Sequence, residues 1–120
     1  MSDKVKRGDE VRRPTGWVIR LVDRQAALGW ASLLSQTPAN LDRAWIAITA
    51  DPRGSGDVAR QHRLKFDLKA VKIAGVELEQ WQYEVTGGGR IWYAIDDDQR
   101  IIWITQAGTG HPRQTDKRRP

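Results

Sequence analysis

The chain lacks several residues on which common kinds of protein chemistry depend. It has no cysteine, one methionine, one phenylalanine and two histidines. Without cysteine it can form neither a disulfide nor a thiolate metal site. No apolar run approaches the roughly 20 residues that a membrane-spanning helix needs, and the first residues are charged. We therefore expect a soluble, cytoplasmic, single-domain protein, because this length suffices for one hydrophobic core.

Patterns for metal or nucleophilic chemistry are sparse as well. His62 and His111 are far apart and neither has ligand spacing beside it, while Asp96–Asp98 is typical of a solvated hairpin end. Gly87–Gly89 joins two predicted strands instead of preceding a helix, so it is not a phosphate-binding loop. No serine lies in the Gly-x-Ser-x-Gly pattern of a nucleophile elbow. We expect no metal and no cofactor.

The first half of the sequence predicts a strand followed by a helical hairpin. Trp17–Val22 is a short apolar run, and Asp23 can cap the helix that follows. Thr37-Pro38 is typical of a second helix start, after a break at about Gln36, and Asp51-Pro52 ends that helix. Helical spacing assigns the buried stripes to Ala27, Trp30, Ala31 and Leu34, and then to Leu41, Ala44, Trp45 and Ile48.

The second half predicts an antiparallel meander over Leu78–Ile104. Apolar and polar residues alternate on both sides of Gly87–Gly89, and a third strand follows the turn at Asp96–Gln99. Arg63–Lys69 also alternates strictly, which predicts a further strand or extended edge. Ala107–His111 has the composition of a glycine-rich loop.

This order of elements predicts an α+β fold. We expect a two-helix hairpin packed on one face of a twisted, mainly antiparallel sheet of four to five strands. The other face is then solvated or covered by a partner, which makes it the natural site. Residues 15–113 form the predicted domain, residues 1–14 a flexible basic arm and residues 114–120 a basic tail.

Charge is segregated along the chain, whose formal net charge is +5. Residues 57–76 carry five basic and two acidic side chains (+3), whereas residues 77–109 carry two basic and six acidic ones (−4). Residues 110–120 add four basic and one acidic side chain (+3). Such segregation favours a polyanionic partner on one side, although solvated basic tails explain the termini equally well.

The remaining candidates for chemistry are cationic side chains on predicted strands and loop ends, namely His62, Arg63, Lys65, Arg90, His111 and Arg113. RNA cleavage without a metal needs a base for the 2′-hydroxyl proton, an acid for the leaving oxygen and fixed cations for the phosphorane-like transition state. Histidine and arginine suit these tasks. The alternative from composition alone is that all six are ordinary surface residues.

The segments Trp81–Val85 and Arg90–Asp96, with the element order, resemble the RelE/ParE toxin superfamily of bacterial toxin–antitoxin modules. An Arg-x-x-Tyr strand characterises those toxins, and here Arg90 and Tyr93 occupy it. The basic His62–Lys65 segment and Gly110–Arg113 fall where the family places basic or histidine residues. The likeness covers roughly residues 17–115 and lies mainly in pattern.

The resemblance implies an mRNA endoribonuclease, commonly acting in the ribosomal A site, that is held inactive by an antitoxin. Arg90, His111 and Lys65 would then be catalytic. The substrate-binding residues would be His62, Arg63, Gln82, Glu84 and Arg113. The antitoxin is expected to bind through an acidic amphipathic segment. Tyr93 is expected on the helix-covered face, because it lies three residues along the strand from Arg90.

Two departures keep alternatives open. Gln82 and Glu84 stand where some RelE-type enzymes have lysines, and the C-terminal tyrosine of several members is absent. Glu84 can serve as a base if it shares a face with Arg90. A ParE-type inhibitor of DNA gyrase without nuclease activity, or a non-catalytic binding domain of the same fold, therefore remains an alternative.

Overall fold

The computed structural model describes residues 6–11, 16–54 and 56–109. Over these ranges the predicted α+β class is confirmed, with two helices and six strands. In chain order the elements are β1 (Val18–Leu21), α1 (Arg24–Gln36), α2 (Pro38–Ala50), β2 (Gln61–Arg63), β3 (Ala70–Ile73), β4 (Val76–Glu84), β5 (Gly89–Asp96) and β6 (Ile101–Thr109). The predicted arm lies largely, and the predicted tail entirely, outside the described residues.

The helix ends follow the sequence signals closely. The Asp23 carboxylate accepts a hydrogen bond from the backbone N–H of Ala26 at 2.9 Å, so the predicted N-cap of α1 is confirmed. Pro38 opens α2 in the first turn, where its missing N–H costs nothing. Thr37 is the N-cap of α2, but its hydroxyl makes no capping hydrogen bond, unlike the hydroxyl that a threonine before a helix is expected to offer. Within the described residues, neither helix is long and apolar enough to span a membrane.

The buried stripe of α1 differs from the prediction. Ala26 and Leu33 are buried, whereas Leu34 is 53% exposed. The reason is Gly29, where an added Cβ would lie 1.8 Å from the carbonyl oxygen of Ala107. A side chain there would push the helix off β6, so the face that contains the glycine packs closest to the sheet.

The stripe of α2 is correct except at one position. Leu41, Ala44 and Ile48 are buried, but Trp45 is 44% exposed and is not a core residue. Trp30 is partly buried and packs against the core. Helical spacing alone cannot decide which residues at the margin of a stripe meet the sheet, because the stripe is wider than the contact.

The six strands form one sheet in the order β1-β6-β5-β4-β2, and β3 also pairs with β4. β1 runs parallel to β6, and all the other pairs are antiparallel. The count of six corrects the predicted four to five, because β2 and β3 share the same edge of β4.

The predicted strand over Arg63–Lys69 is wrong. β2 ends at Arg63, and Phe66–Leu68 forms a 3-10 turn in which Phe66 has φ 56° and is 84% exposed. The cause lies on β4, where one residue pairs with the chain on both sides of the turn. The Gln80 carbonyl accepts from the Leu64 N–H and the Gln80 N–H donates to the Lys69 carbonyl. The residues between must therefore loop away from the sheet.

Two further features were missed by sequence patterns. Ala74 and Gly75, both with positive φ, form the two-residue turn between β3 and β4. β6 continues to Thr109, so residues 107–109 are strand and not loop. A bulge in β6 opposite Trp92/Tyr93 explains why the apolar alternation is lost before the strand ends.

Tyr93 connects the middle of the sheet to the chain that follows α2. Its side chain is fully buried in the core, which confirms its predicted place on the helix-covered face. The hydroxyl donates to the Pro52 carbonyl at 2.7 Å and accepts from Gln61 Nε2 at 2.9 Å. Burial raises the pKa of the Tyr93 phenol above its ordinary value. The hydroxyl therefore stays neutral and acts as a fixed link between β5, β2 and the α2–β2 loop.

Replacing Tyr93 with phenylalanine should lower the free energy of unfolding by about 2 kcal/mol, because the buried Pro52 carbonyl and the Gln61 amide lose their shared partner. Urea unfolding measures the change. Tyr83→Phe is the matched control, since its hydroxyl makes no hydrogen bond with the described residues. Equal effects of the two substitutions would contradict the linking role of Tyr93.

Candidate functional site

The sheet face opposite the helices gathers polar side chains from four neighbouring strands. The register aligns His62 on β2 with Gln82 on β4, Trp92 on β5 and Gln106 on β6. Two pairs further along, Glu84 lies directly opposite Arg90. Because side chains of paired residues project to the same face, all six lie on the side away from Tyr93. We call the set His62, Gln82, Glu84, Arg90, Trp92 and Gln106 the polar face.

The bulge in β6 adds one more polar side chain to this side. Trp92 pairs with Gln106 and Tyr93 with Ile104, so Thr105 is the extra residue. The Thr105 hydroxyl is hydrogen-bonded to Gln80 Oε1, and Gln80 Nε2 donates to the Leu68 carbonyl at 2.8 Å. Gln80 is 5% exposed, and these bonds satisfy its amide. It therefore ties the 3-10 turn to the sheet.

The amide of Gln82 has a defined orientation. The indole Nε1 of Trp92, which is 3% exposed, donates to Gln82 Oε1 at 2.8 Å. An indole N–H is only a donor, so the amide oxygen must face Trp92 and the amide nitrogen must point elsewhere. Gln82 itself is partly exposed. The polar face thus presents amide N–H donors beside Arg90.

A row of exposed cations borders the polar face. Along β2, the 3-10 turn and β3, the structure exposes Arg60, Arg63, Lys65, Lys69 and Lys72. This strip, which we call the basic edge, is the outer edge of the sheet beyond β4. The basic residues of the segment with a net charge of +3 therefore lie along one edge of the sheet, together with the exposed Asp57 and Asp67.

The sequence-predicted site residues are only partly brought together. His62, Gln82, Glu84 and Arg90 share the polar face. Arg63 pairs with Trp81 on the opposite face, and its guanidinium donates to the Lys69 carbonyl at 3.2 Å. Lys65 is exposed where the 3-10 turn begins. His111 and Arg113 lie outside the described residues.

A second charged cluster was not found from the sequence. Arg53, just after α2, donates through two nitrogens to Glu79 at 2.7 and 3.2 Å and through two to Asp97 at 2.8 and 3.2 Å. Trp81 Nε1 also donates to Glu79. Asp97 is therefore paired and not simply part of a solvated turn. The partners are separated by 26 and 44 residues, so no local pattern could reveal them.

The ion pairs shift the pKa values of Arg53, Glu79 and Asp97. Hydrogen bonds to Asp97 and Glu79 raise the pKa of Arg53 above its ordinary value. The bonded guanidinium lowers the pKa of Glu79 and of Asp97. The cluster holds the α2–β2 loop to β4 and to the β5–β6 turn. Among the described residues, no group of three or more histidine or acidic side chains is arranged to hold a metal ion.

An apolar groove lies between the two helices. It is lined by Trp30, Leu34, Pro38, Leu41, Asp42 and Trp45. Leu28 and Ile46 add exposed apolar surface on the same helices, at 52% and 55% exposure. The exposure of Trp45 therefore belongs to a continuous apolar patch and not to an isolated residue.

The comparisons with known proteins found similarity among solved structures. No family model and no curated protein matches the chain. Among solved structures, the chain is similar to an arginine-to-alanine double mutant of the E. coli toxin RelE in complex with a peptide of the antitoxin RelBc. The sequence identity is 14%, the TM-score is 0.47, and the match covers 87% of this chain and 94% of that one.

The Arg53 cluster predicts a pH-dependent stability. Both carboxylates have lowered folded-state pKa values, so their contribution is present above the unfolded values near 4 and is lost as the pH falls through the folded values. Arg53→Gln should lower the free energy of unfolding by about 1 kcal/mol at pH 7, since the pairs are partly exposed. At pH 2 the difference should be largely gone.

Urea unfolding at both pH values measures this difference. Arg60→Gln is the control, because the pair of Arg60 with Asp57 is exposed and 3.7 Å long. A deficit for Arg53→Gln that is the same at pH 7 and pH 2 would show that packing, not the ion pairs, is lost.

Proposed function

We propose that this protein is the toxin of a toxin–antitoxin module and acts as an mRNA endoribonuclease that inhibits translation by cutting mRNA at the ribosome. The observation that carries this proposal is the placement of Arg90. It shares the polar face with His62, Gln82 and Glu84, whereas Tyr93 of the same Arg-x-x-Tyr strand is buried on the other face. That division supports the separate roles that the sequence resemblance implies for the two residues.

The basic edge supports RNA as the substrate class. Its five cations are exposed at the edge next to His62, but Arg63 and Lys72 pair with residues of the helix-covered face. Arg60, Lys65 and Lys69 are therefore the cations that we assign to contacts with RNA phosphates. Lys65 belongs to this edge. Arg63 also belongs to it, but its guanidinium already binds the Lys69 carbonyl, so we assign it to backbone support before substrate contact.

On this proposal Arg90 binds the scissile phosphate and stabilises the charge that develops on its oxygens. Lys65 contributes positive charge from the basic edge. His111 and Arg113 retain the acid–base and phosphate roles that the resemblance implies. Glu84 meets the condition set by the sequence, because it lies opposite Arg90 on the same face. It can orient the guanidinium or accept a proton.

One observation favours a second candidate function. On the polar face the described charges are Arg90 and Glu84, which oppose each other, while Gln82 is neutral. A nuclease with lysines in place of Gln82 and Glu84 would have a more positive polar face. A ParE-type inhibitor of DNA gyrase, which makes no cut in RNA, is therefore the alternative, followed by a non-catalytic binding domain.

Arg90→Ala should abolish toxicity and lower RNA cleavage by on the order of 100-fold or more, because one fixed donor to the transition state is lost. The measurement is a map of RNA 5′ ends after induction of the wild type and the variant in a bacterium. Arg43→Ala on α2 is the matched control, since Arg43 is exposed and bonds only to Asn40 of its own helix among the described residues.

New cuts within translated mRNA that disappear only in Arg90→Ala support the nuclease. Growth arrest with intact RNA and DNA-damage signalling would support the gyrase inhibitor instead. If growth is not arrested at any level of expression, the remaining explanation is a non-catalytic binding domain.

The proposed partner is an antitoxin with an acidic amphipathic segment. The basic edge supplies the complementary charge, and the polar face beside it supplies a surface of partly exposed side chains. Co-expression with the product of an adjacent gene should yield a complex that dissociates more readily when Lys65 and Lys69 are replaced by glutamate. A complex that is indifferent to these two changes and to salt would argue against a charged contact at this edge.

A further inference from the structure

His62 is held by a hydrogen bond that fixes which ring nitrogen carries a proton. Its Nδ1 lies 3.1 Å from the Val58 carbonyl oxygen. A carbonyl oxygen only accepts hydrogen bonds, so Nδ1 must be the protonated nitrogen. In the neutral ring, Nε2 then carries the lone pair. The Val58 carbonyl thus selects the tautomer in which Nε2 can accept a proton.

The register of β2 places the His62 ring on the polar face. His62 pairs with Gln82 on β4, and the ring is only partly exposed. No hydrogen bond among the described residues engages Nε2. The ring is therefore oriented by β2 and by the turn that contains Val58, while its basic nitrogen remains available for a ligand.

The charged groups around His62 come from three elements. Arg60 precedes it on the β2 side, Glu84 lies on β4 two residues beyond Gln82, and Arg90 lies opposite Glu84 on β5. Neighbouring strands are about 4.8 Å apart and Arg90 lies two residues along β5 from the position in line with His62, so the two backbones are separated by roughly 12 Å. An imidazole and a guanidinium can both reach a phosphodiester that lies over Gln82 and Glu84.

We propose that His62 is the general base of the RNA cleavage reaction, with the Val58 carbonyl as its positioning group. This assignment rests on the proposed nuclease function and changes His62 from a substrate-binding to a catalytic residue. Nε2 takes the proton of the 2′-hydroxyl while the 2′-oxygen forms a bond to phosphorus. The bond from phosphorus to the 5′-oxygen breaks, and that oxygen takes a proton from water or from a general acid. The products are a 2′,3′-cyclic phosphate and a free 5′-hydroxyl.

The choice between His62 and Glu84 as base follows from their surroundings. A base is most effective when its pKa lies near the operating pH, a condition that imidazole meets better than a carboxylate. Glu84 lies directly opposite Arg90 in the register, so its carboxylate is placed to orient the guanidinium. We therefore assign Glu84 to orienting Arg90 and His62 to proton transfer.

His62→Asn is the most informative variant. The asparagine amide nitrogen can occupy the place of Nδ1 and still donate to the Val58 carbonyl, but nothing replaces Nε2. We expect the variant to fold like the wild type, as thermal unfolding will show. Single-turnover cleavage of ribosome-bound mRNA should fall by roughly 100- to 10,000-fold. The decline in the wild-type rate on the acidic side, where imidazole becomes protonated, should disappear.

Two controls separate catalysis from binding. RNA with a 2′-deoxy residue at the cut linkage cannot react, so it measures binding alone. Its affinity for the wild type and for His62→Asn should agree within about twofold, because on this assignment the ring transfers a proton and does not hold the phosphate. Glu84→Gln should retain the acidic decline in rate. Nitrogen NMR shifts of the His62 ring should show the Nδ1-protonated tautomer in the wild type, independently of any activity.

The outcomes are distinguishable. If the wild type cleaves RNA and His62→Asn cleaves at the same rate with the same pH profile, His62 is not the base although the nuclease stands. A loss that equals the loss of affinity for the deoxy substrate, or an Nε2-protonated ring, also overturns the assignment. If the wild type cleaves no RNA, the proposed function fails and the assignment fails with it.

Discussion

The buried hydroxyl of Tyr93 is the constraint on which the two halves of the fold depend. It lies at the centre of β5, and it joins the Pro52 carbonyl to the Gln61 amide. Those contacts fix where the chain leaves α2 and where β2 enters the sheet. Because β2 carries His62, the depth of one phenol in the core decides where a polar side chain stands on the opposite face. Core packing and site geometry are thus set by the same strand.

The two faces of β5 show how the sheet separates stability from chemistry. Ile91, Tyr93 and Ile95 pack in the core, while Arg90 and Trp92 project to the other side. Trp92 holds the Gln82 amide, and Glu84 opposes Arg90. Few side chains are needed to hold this arrangement, because side chains on neighbouring strands already lie within reach of one another.

How far the sequence predicts this molecule depends on the range of the forces involved. The meander from β4 to β6 was predictable, since the alternation of apolar and polar residues agrees with their burial there. The start of α1 was predictable from its N-cap residue, Asp23. The strand predicted over residues 63–69 was wrong because the pairing of these residues is decided by the backbone of Gln80. The polar face was partly predictable from the Arg90 strand, but the alignment of His62 with Gln82 required the register of β2. Arg53 bridges residues too distant for any pattern.

The bulge at Thr105 has a consequence for how this fold can change over generations. Side chains alternate faces along β6, and the extra residue shifts that alternation once, in the middle of the strand. Loss of Thr105 itself would leave Gln106 opposite Trp92 and Ala107 opposite Ile91, because the remaining residues then pair in one unbroken antiparallel register. Loss of Ala107 would instead turn every later side chain of the strand to the other face of the sheet. Insertions and deletions should therefore be tolerated in the surface turns and at the bulge, and purged from the rest of this strand, even where no functional side chain is touched.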